Sequence, residues 1–184
     1  MSEIYIDFSK NATRQYFLDQ LLASLNDEQR EEVKNSIETA GVSLAHHHNL
    51  EAVLAAISAL NVSEKVKNDA GAVYKILASA EAQVHECSVE QTHFHEVGNG
   101  EAIQNVIGVC LALEAISPDR VVASPVQAGK GKVQCAHGLL DIPAPATAAI
   151  LAQGIMVAEE KIEGEWCTPT SAALILHFVD EFVI

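Results

Sequence analysis

The chain has 184 residues and a formal net charge of −14, with 25 acidic side chains against 11 basic ones. Nucleic-acid binding needs clustered Lys and Arg to displace counterions, so this balance argues against DNA or RNA as a partner. Hydrophobic residues make up 49% of the sequence, enough to bury the core of one domain, and no apolar run is long enough to predict a membrane span.

The cysteines and the N-terminal sequence predict the cellular compartment. The four cysteines are widely spaced and show no disulfide framework. The first residues lack the basic and apolar regions of a secretory signal. We therefore expect a reduced, cytoplasmic protein.

The first half of the chain predicts one short strand followed by helices. Residues 4–8 are rich in β-forming side chains. Apolar residues at helical spacing then predict helices over 12–25, 27–40, 49–60 and 63–87. A polar break at 45–49 contains three consecutive histidines, His46 to His48. We expect 27–87 to form a helical lobe inside a single domain that spans 1–184.

The second half alternates between strands and helices. Strands are predicted at 89–95, 120–126 and 155–158, and 132–135 is expected to return as a hairpin strand after a glycine turn at 129–131. Helices are predicted at 100–116 after Asn99, from a rigid proline-containing entry at 143–147 as far as 153–154, and at 169–182 after Thr168. This order predicts an α/β fold, a mixed sheet flanked by helices, with the helical lobe in the N-terminal half.

Two short clusters carry the residues that bind transition metals. In an extended chain, side chains two apart share a face, so His93 and His95 would project together, as would Cys135 and His137. Imidazole and thiolate suit Ni²⁺ or Zn²⁺ better than Mg²⁺. We expect these four side chains to converge around one cleft as metal ligands. Glu96 beside them is a candidate catalytic base, third ligand or supporting partner.

Three further features could bind an anion or a metal, and each also has a plain structural explanation. The glycine turn could wrap a phosphate or carboxylate, through Gly129, Lys130 and Gly131. Thr168 and Thr170 begin a helix, where they act as caps or line an anion pocket. The histidine run at 46–48 is either a loose metal-binding segment or a solvated surface.

Several motifs in a fixed order resemble one protein family. They are H-F-H-E-V-G, S-P-V-x-x-G-x-G-x-V-x-C-A-H-G-L-L, I-P-A-P-A-T, G-E at 164–165 and T-P-T-S-A-A-L, together with A-E-A-Q-V-H at 80–85. This set resembles the LarC-type nickel-insertion family of lactate racemase maturation, over roughly 45–182. The sequence keeps Asp7, Phe8 and Ser9 of the family's N-terminal pattern but has Lys10, Asn11, Thr13 and Arg14 where its glycine and acidic part stands.

The resemblance implies a function and a set of partners. Members load nickel into a pyridinium bisthiocarboxylate mononucleotide, the nickel-pincer cofactor, with CTP hydrolysis. This chain would then bind nickel and a nucleotide-like small molecule as part of a CTP-dependent nickel chelatase, a lyase. It would need a second, CTP-handling domain or subunit, and a homo-oligomer is a further expectation.

Two alternatives stay open from the sequence. The altered N-terminal pattern suits a non-catalytic interaction or regulatory paralogue that keeps the fold without the chemistry. A stand-alone metal hydrolase with Glu96 as its base has less support, because the sequence shows no complete ligand set.

Overall fold

The computed structural model describes all 184 residues and combines helices with short strands. The helices are α1 (Arg14–Ala23), α2 (Asp27–Thr39), α3 (Leu50–Ser58), α4 (Glu64–His85), α5 (Gly100–Ile116), α6 (Pro145–Leu151) and α7 (Pro169–Phe178). The strands are β1 (Glu3–Ile6), β2 (Arg120–Ala123), β3 (Lys132–Cys135), β4 (Gly138–Asp141) and β5 (Glu181–Phe182). No helix has both the length and the hydrophobicity that crossing a bilayer requires.

Side-chain caps define where six of the helices begin. A short polar side chain before each helix accepts a hydrogen bond from a backbone N–H in the first turn, which satisfies a donor that has no partner within the helix. These caps are Thr13, Asn26, Asn49, Ser63, Asn99 and Thr168. Helix α6 begins with Pro145, whose fixed φ suits the first helical position. The helix starts follow directly from local sequence.

Parallel and antiparallel pairing occur in two separate sheets. The order β1-β2-β5 forms a three-stranded sheet, and β2 lies parallel to both neighbours. Strands β3 and β4 form an antiparallel hairpin. The predicted α/β class with flanking helices and a helix-dominated N-terminal half is confirmed.

One hydrophobic core joins the helices to the parallel sheet. It contains 42 buried residues, which run in sequence from Ile6 to Ile175. Tyr74 of α4 is fully buried in it and donates a hydrogen bond to the Val97 carbonyl oxygen at 2.8 Å. This bond fixes the loop before α5 against the middle of α4.

Three of the predicted β features have a different structure. Residues 89–95 form no strand: a 3-10 turn, Val89–Gln91, is followed by irregular backbone that packs on the histidine run. The hairpin does not form around the glycine turn at 129–131, because β3 pairs with β4 across Ala136 and His137. The predicted strand at 155–158 is reduced to one bridge, between Val126 and Val157.

The C-terminal helix is shorter than its apolar pattern predicts. Helix α7 ends at Phe178, and the chain then turns into β5 beside β2. Asp180 supports this turn: its backbone N–H donates to the Val121 carbonyl oxygen at 2.8 Å, and its carboxylate accepts from the Val121 N–H at 2.8 Å. Pairing with the sheet therefore replaces the last helical turn.

Candidate functional site

A cleft of about 520 Å³ lies where the end of α4, the loop before α5 and the β3–β4 hairpin meet the starts of several helices. None of its lining residues belongs to the parallel strands β1, β2 or β5. The residues that could carry chemistry are Arg14, Glu81, His85, His95, Glu96, Cys135, His137, Glu165, Thr168 and Thr170. The cleft therefore gathers side chains from distant parts of the sequence.

Glu81, His85 and His137 form a group that could hold a metal ion. One ligand atom from each lies within 4.8 Å of the other two. Glu81 and His85 share one face of α4 because they are four residues apart, and Glu81 Oε2 lies 3.3 Å from His85 Nε2. A metal about 2.1 Å from each ligand allows ligand separations of at most about 4.2 Å, so small side-chain rotations would close the site.

His95 lies beside this group and extends it. Its ring centroid is 4.8 Å from that of His137, which is in turn 4.9 Å from the ring of His85. His137 thus lies between the other two imidazoles. His95 and His137 are close enough to contribute to one site, although they are 42 positions apart in the sequence.

Glu96 connects the loop that carries His95 to the hairpin that carries His137. Its Oε1 atom accepts a hydrogen bond from the Ala136 N–H at 3.3 Å. That contact anchors the exposed turn of the hairpin above the cleft. In the structure Glu96 supports the hairpin through this hydrogen bond. Of the roles predicted from the sequence, which are base, ligand and supporting partner, this contact corresponds to the last.

A second carboxylate, Glu165, shares the cleft with Glu96. Burial, and then the charge of Glu96, raises the pKa of the Glu165 carboxyl above its ordinary value. An ionised pair of this kind is unfavourable unless a cation lies nearby. The two acids make the hairpin side of the cleft suitable for a positive charge.

The histidine run packs directly on the loop that carries His95. The His47 N–H donates to the Gly98 carbonyl oxygen at 2.9 Å, and the Phe94 N–H donates to the His48 carbonyl oxygen at 2.6 Å. His46 Nε2 lies 2.9 Å from the Phe94 carbonyl oxygen. The run is therefore part of the framework of the site and not a free linker. His46 and His48 also lie near each other, with ring centroids 4.4 Å apart.

The predicted metal ligands do not all reach the cleft. His95, Cys135 and His137 line it, whereas His93 does not. Cys135 lies outside the group of Glu81, His85 and His137, and its thiol donates to the Gly138 carbonyl oxygen at 3.4 Å. The structure brings together only part of the ligand set predicted from the sequence.

The predicted anion-binding residues are also divided. Thr168 and Thr170 line the cleft at the start of α7. The glycine turn does not: Lys130 exchanges backbone hydrogen bonds with Gly164, at 3.2 and 2.9 Å. Gly129 has a φ of +80°, and a side chain there would overlap the Gly164 carbonyl oxygen. These contacts explain why glycine is required at 129: the backbone packs closely there. None of Gly129, Lys130 and Gly131 lines the cleft.

The retained part of the N-terminal pattern joins two strands. Asp7 Oδ1 accepts from the Ser9 N–H at 2.9 Å, the Ser9 hydroxyl at 2.6 Å and the Ser124 hydroxyl at 3.3 Å. These hydrogen bonds, those from Ser9 first, lower the pKa of Asp7. Ser124 follows β2, so the network links the ends of β1 and β2 and does not line the cleft.

Sequence reasoning missed Glu81, His85, Arg14 and Glu165 as site residues. The spacing of Glu81 and His85, one turn apart on a predicted helix, was an available signal, because it places both side chains on one face. Nothing in the local sequence connects Arg14 or Glu165 to the histidine clusters. Their position in the cleft depends on tertiary packing.

Comparisons with a family model and with individual relatives point to the same protein family. The family model described as "Nickel insertion protein" matches residues 9–183. The chain is 40% identical over 147 residues to the pyridinium-3,5-bisthiocarboxylic acid mononucleotide nickel insertion protein of Staphylococcus saprophyticus, covering 77% of this chain. Proteins with the same name in Desulfitobacterium hafniense strain DCB-2 and Geobacillus kaustophilus are 38% and 34% identical, covering 74% and 82% of this chain.

The similarity covers only part of each relative. The matched regions span 37% of the Staphylococcus saprophyticus protein, 34% of the Desulfitobacterium hafniense protein and 37% of the Geobacillus kaustophilus protein. The chain thus spans little more than a third of the length of these relatives. No solved structure matches it.

Proposed function

This chain belongs to the nickel insertion protein family, and from that premise we propose that its cleft binds Ni²⁺ as cargo for a pyridinium bisthiocarboxylate mononucleotide. The observation that carries the proposal is the group of Glu81, His85 and His137, whose ligand atoms lie within 4.8 Å of one another. His95 lies beside this group, and Glu165 lines the same cleft.

The chemistry of this donor set suits a metal that must be handed on. Imidazole and carboxylate bind Ni²⁺, and a site with three protein donors leaves coordination positions open. An incoming ligand with sulfur donors could occupy those positions before the protein ligands are released. A closed site with four or more protein donors would instead favour storage. His85 and His137 are exposed to solvent, which fits the open arrangement.

Complete insertion would need more than this chain. The relatives named for this activity are nearly three times as long as the regions matched here. We infer that the remaining part, as a second domain or a separate subunit, handles CTP and completes the reaction. In this division of labour the present chain supplies the metal-binding cleft.

Calorimetric titration of metal-free protein with Ni²⁺ tests the binding site. Replacing His85→Ala or His137→Ala should weaken nickel binding by more than tenfold, over about 1.4 kcal/mol, because each change removes one of three clustered donors. His93→Ala is the matched control, since it removes an exposed imidazole outside the cleft.

Unchanged affinity in both cleft variants would contradict the proposed site. A loss confined to His93→Ala would favour the ligand set predicted from the sequence. If the wild-type protein binds no nickel, the interaction or regulatory paralogue becomes the better explanation. Circular dichroism of each variant separates lost binding from lost folding.

A further inference from the structure

We propose that the cleft contains an anion-binding subsite, formed by Arg14, Thr170 and the N-terminus of α7, that takes the phosphate monoester of the mononucleotide ligand. The identity of the ligand rests on the proposed function. The subsite itself rests on three features of the structure. Arg14 has no carboxylate partner, the Thr170 hydroxyl has no hydrogen bond, and several helices begin at the same cleft.

Arg14 is a half-buried cation in the cleft that no carboxylate neutralises. Its Nε atom donates to Asn105 Oδ1 at 2.6 Å, and Asn105 in turn donates to Gln15 Oε1 at 3.2 Å. No carboxylate oxygen lies within 4.0 Å of the guanidinium, although the chain has 25 acidic residues. The bond to Asn105 holds the side chain by one edge and leaves its outer N–H groups free. A guanidinium held in this way can form paired hydrogen bonds to a phosphate.

Thr170 offers a hydroxyl that has no partner in the protein. The residue is only 1% exposed, yet it lines the cleft. Among the side-chain oxygens that are sealed from solvent, only the Thr147 hydroxyl lacks a hydrogen bond. The Thr170 hydroxyl also lacks one but is not among the sealed atoms. It therefore reaches the space of the cleft. An unpartnered polar group at this depth is costly unless a ligand or water satisfies it.

The starts of several helices line the same cleft as these two side chains. Arg14 is the first residue of α1, and Thr170 is in the first turn of α7. The Ala12 N–H donates to the Trp166 carbonyl oxygen at 2.9 Å, which joins the segments leading into both helices. Asn99, the cap of α5, lines the same cleft. Helix N-termini carry partial positive charge and favour anions, most strongly when they act together with a cationic side chain.

The acidic residues of the cleft determine the orientation in which a nucleotide would bind. Glu96 contacts the hairpin through Ala136, and Glu165 is close enough to Glu96 for their charges to interact. The Glu96 carboxylate lies against the hairpin that carries His137, where it would repel a phosphate and attract a metal. A nucleotide would therefore place its phosphate at Arg14 and its metal-binding end toward the imidazoles. The cleft would select a phosphorylated ligand over the corresponding nucleoside.

Calorimetry with two commercially accessible pyridinium compounds tests the subsite. Metal-free protein is titrated with nicotinic acid mononucleotide and with nicotinic acid riboside, which lacks the phosphate. We expect the mononucleotide to bind at least tenfold more tightly. Arg14→Gln should remove that preference, Arg14→Lys should restore part of it, and Thr170→Val should reduce it severalfold. Lys130→Gln is the control, because it removes a cation outside the cleft.

Equal binding of the two compounds by the wild-type protein would overturn the subsite, and so would a preference that survives Arg14→Gln or is lost only in Lys130→Gln. Melting curves show whether each variant is folded. Nickel titration of the wild-type protein separates the two proposals: nickel binding without a phosphate preference refutes only the subsite, and a phosphate preference without nickel binding refutes only the metal function.

Discussion

At the scale of single residues, Glu165 shows how the cleft is prepared for a positive charge. Its carboxyl is half-buried and close to Glu96, and both effects raise its pKa. The folded state therefore binds a proton at a pH where the unfolded chain has lost it. As the pH rises through this range the folded protein loses stability relative to the unfolded chain.

Glu165→Gln should consequently raise the melting temperature of the metal-free protein at pH 7, because it removes the cost of ionising the carboxyl beside Glu96. The gain should shrink as the pH falls below the ordinary carboxyl value of 4.5, where both states are protonated. Melting curves of the variant and the wild type across this pH range provide the measurement. A variant less stable than the wild type at pH 7 would show that the Glu165 charge has a stabilising partner.

Residue types predicted part of the site, and the fold determined the rest. His95, Glu96, Cys135 and His137 could be found because histidine, cysteine and glutamate occur in two compact motifs. His93 follows the same pattern, but it lies outside the cleft because 89–95 is not a strand, so alternation does not apply there. Arg14 could not be found, since its neighbours in the cleft lie more than 60 positions away in sequence.

At the scale of secondary-structure elements, the loop that carries His95 depends on close backbone contact with the histidine run. A Cβ at Gly98 would overlap the His47 carbonyl oxygen, and one at Gly100 would overlap that of Ser43. These glycines need no unusual φ. They are required because another segment of backbone lies where a side chain would be.

Gly98→Ala should destabilise the protein by about 1–3 kcal/mol, the usual cost of overpacking, and should also weaken nickel binding by displacing His95. Gly71→Ala is the matched control. Gly71 is inside α4 and its added Cβ would make only an ordinary 3.5 Å contact with Leu54, so the change should add about 0.5–1 kcal/mol of stability through helix propensity. Urea unfolding of both variants gives the comparison, and equal effects would argue against the docked arrangement of 46–48.

Element boundaries were predictable where a local signal ends them. The side-chain caps and the prolines at 145 and 169 fix the helix starts within a residue or two of their predicted positions. The segment at 89–95 was mispredicted because its alternating buried residues, Thr92 and Phe94, are buried without forming a strand. Phe94 packs in the core, and the Thr92 hydroxyl donates to the Val89 carbonyl oxygen at 2.6 Å. The hairpin partner of β3 was mispredicted because the sequence offers two turns, and glycine content favoured the wrong one.

At the scale of the whole molecule, the cleft is a meeting point of a helical half and a strand–helix half. Helix α4 contributes Glu81 and His85, the hairpin contributes His137, and the starts of α1 and α7 contribute the cationic and hydroxyl groups. The proposed metal donors and anion donors thus share one space. That arrangement suits a ligand that carries both a metal-binding end and a phosphate.

The proposed function depends most directly on where nickel binds. Anomalous diffraction at the nickel absorption edge, from crystals of the protein soaked in Ni²⁺, would locate the ion. We expect one strong peak in the cleft, about 2.1 Å from a ring nitrogen of both His85 and His137, with a Glu81 carboxylate oxygen completing three protein donors. A peak on the histidine run at 46–48, with none in the cleft, would contradict the account.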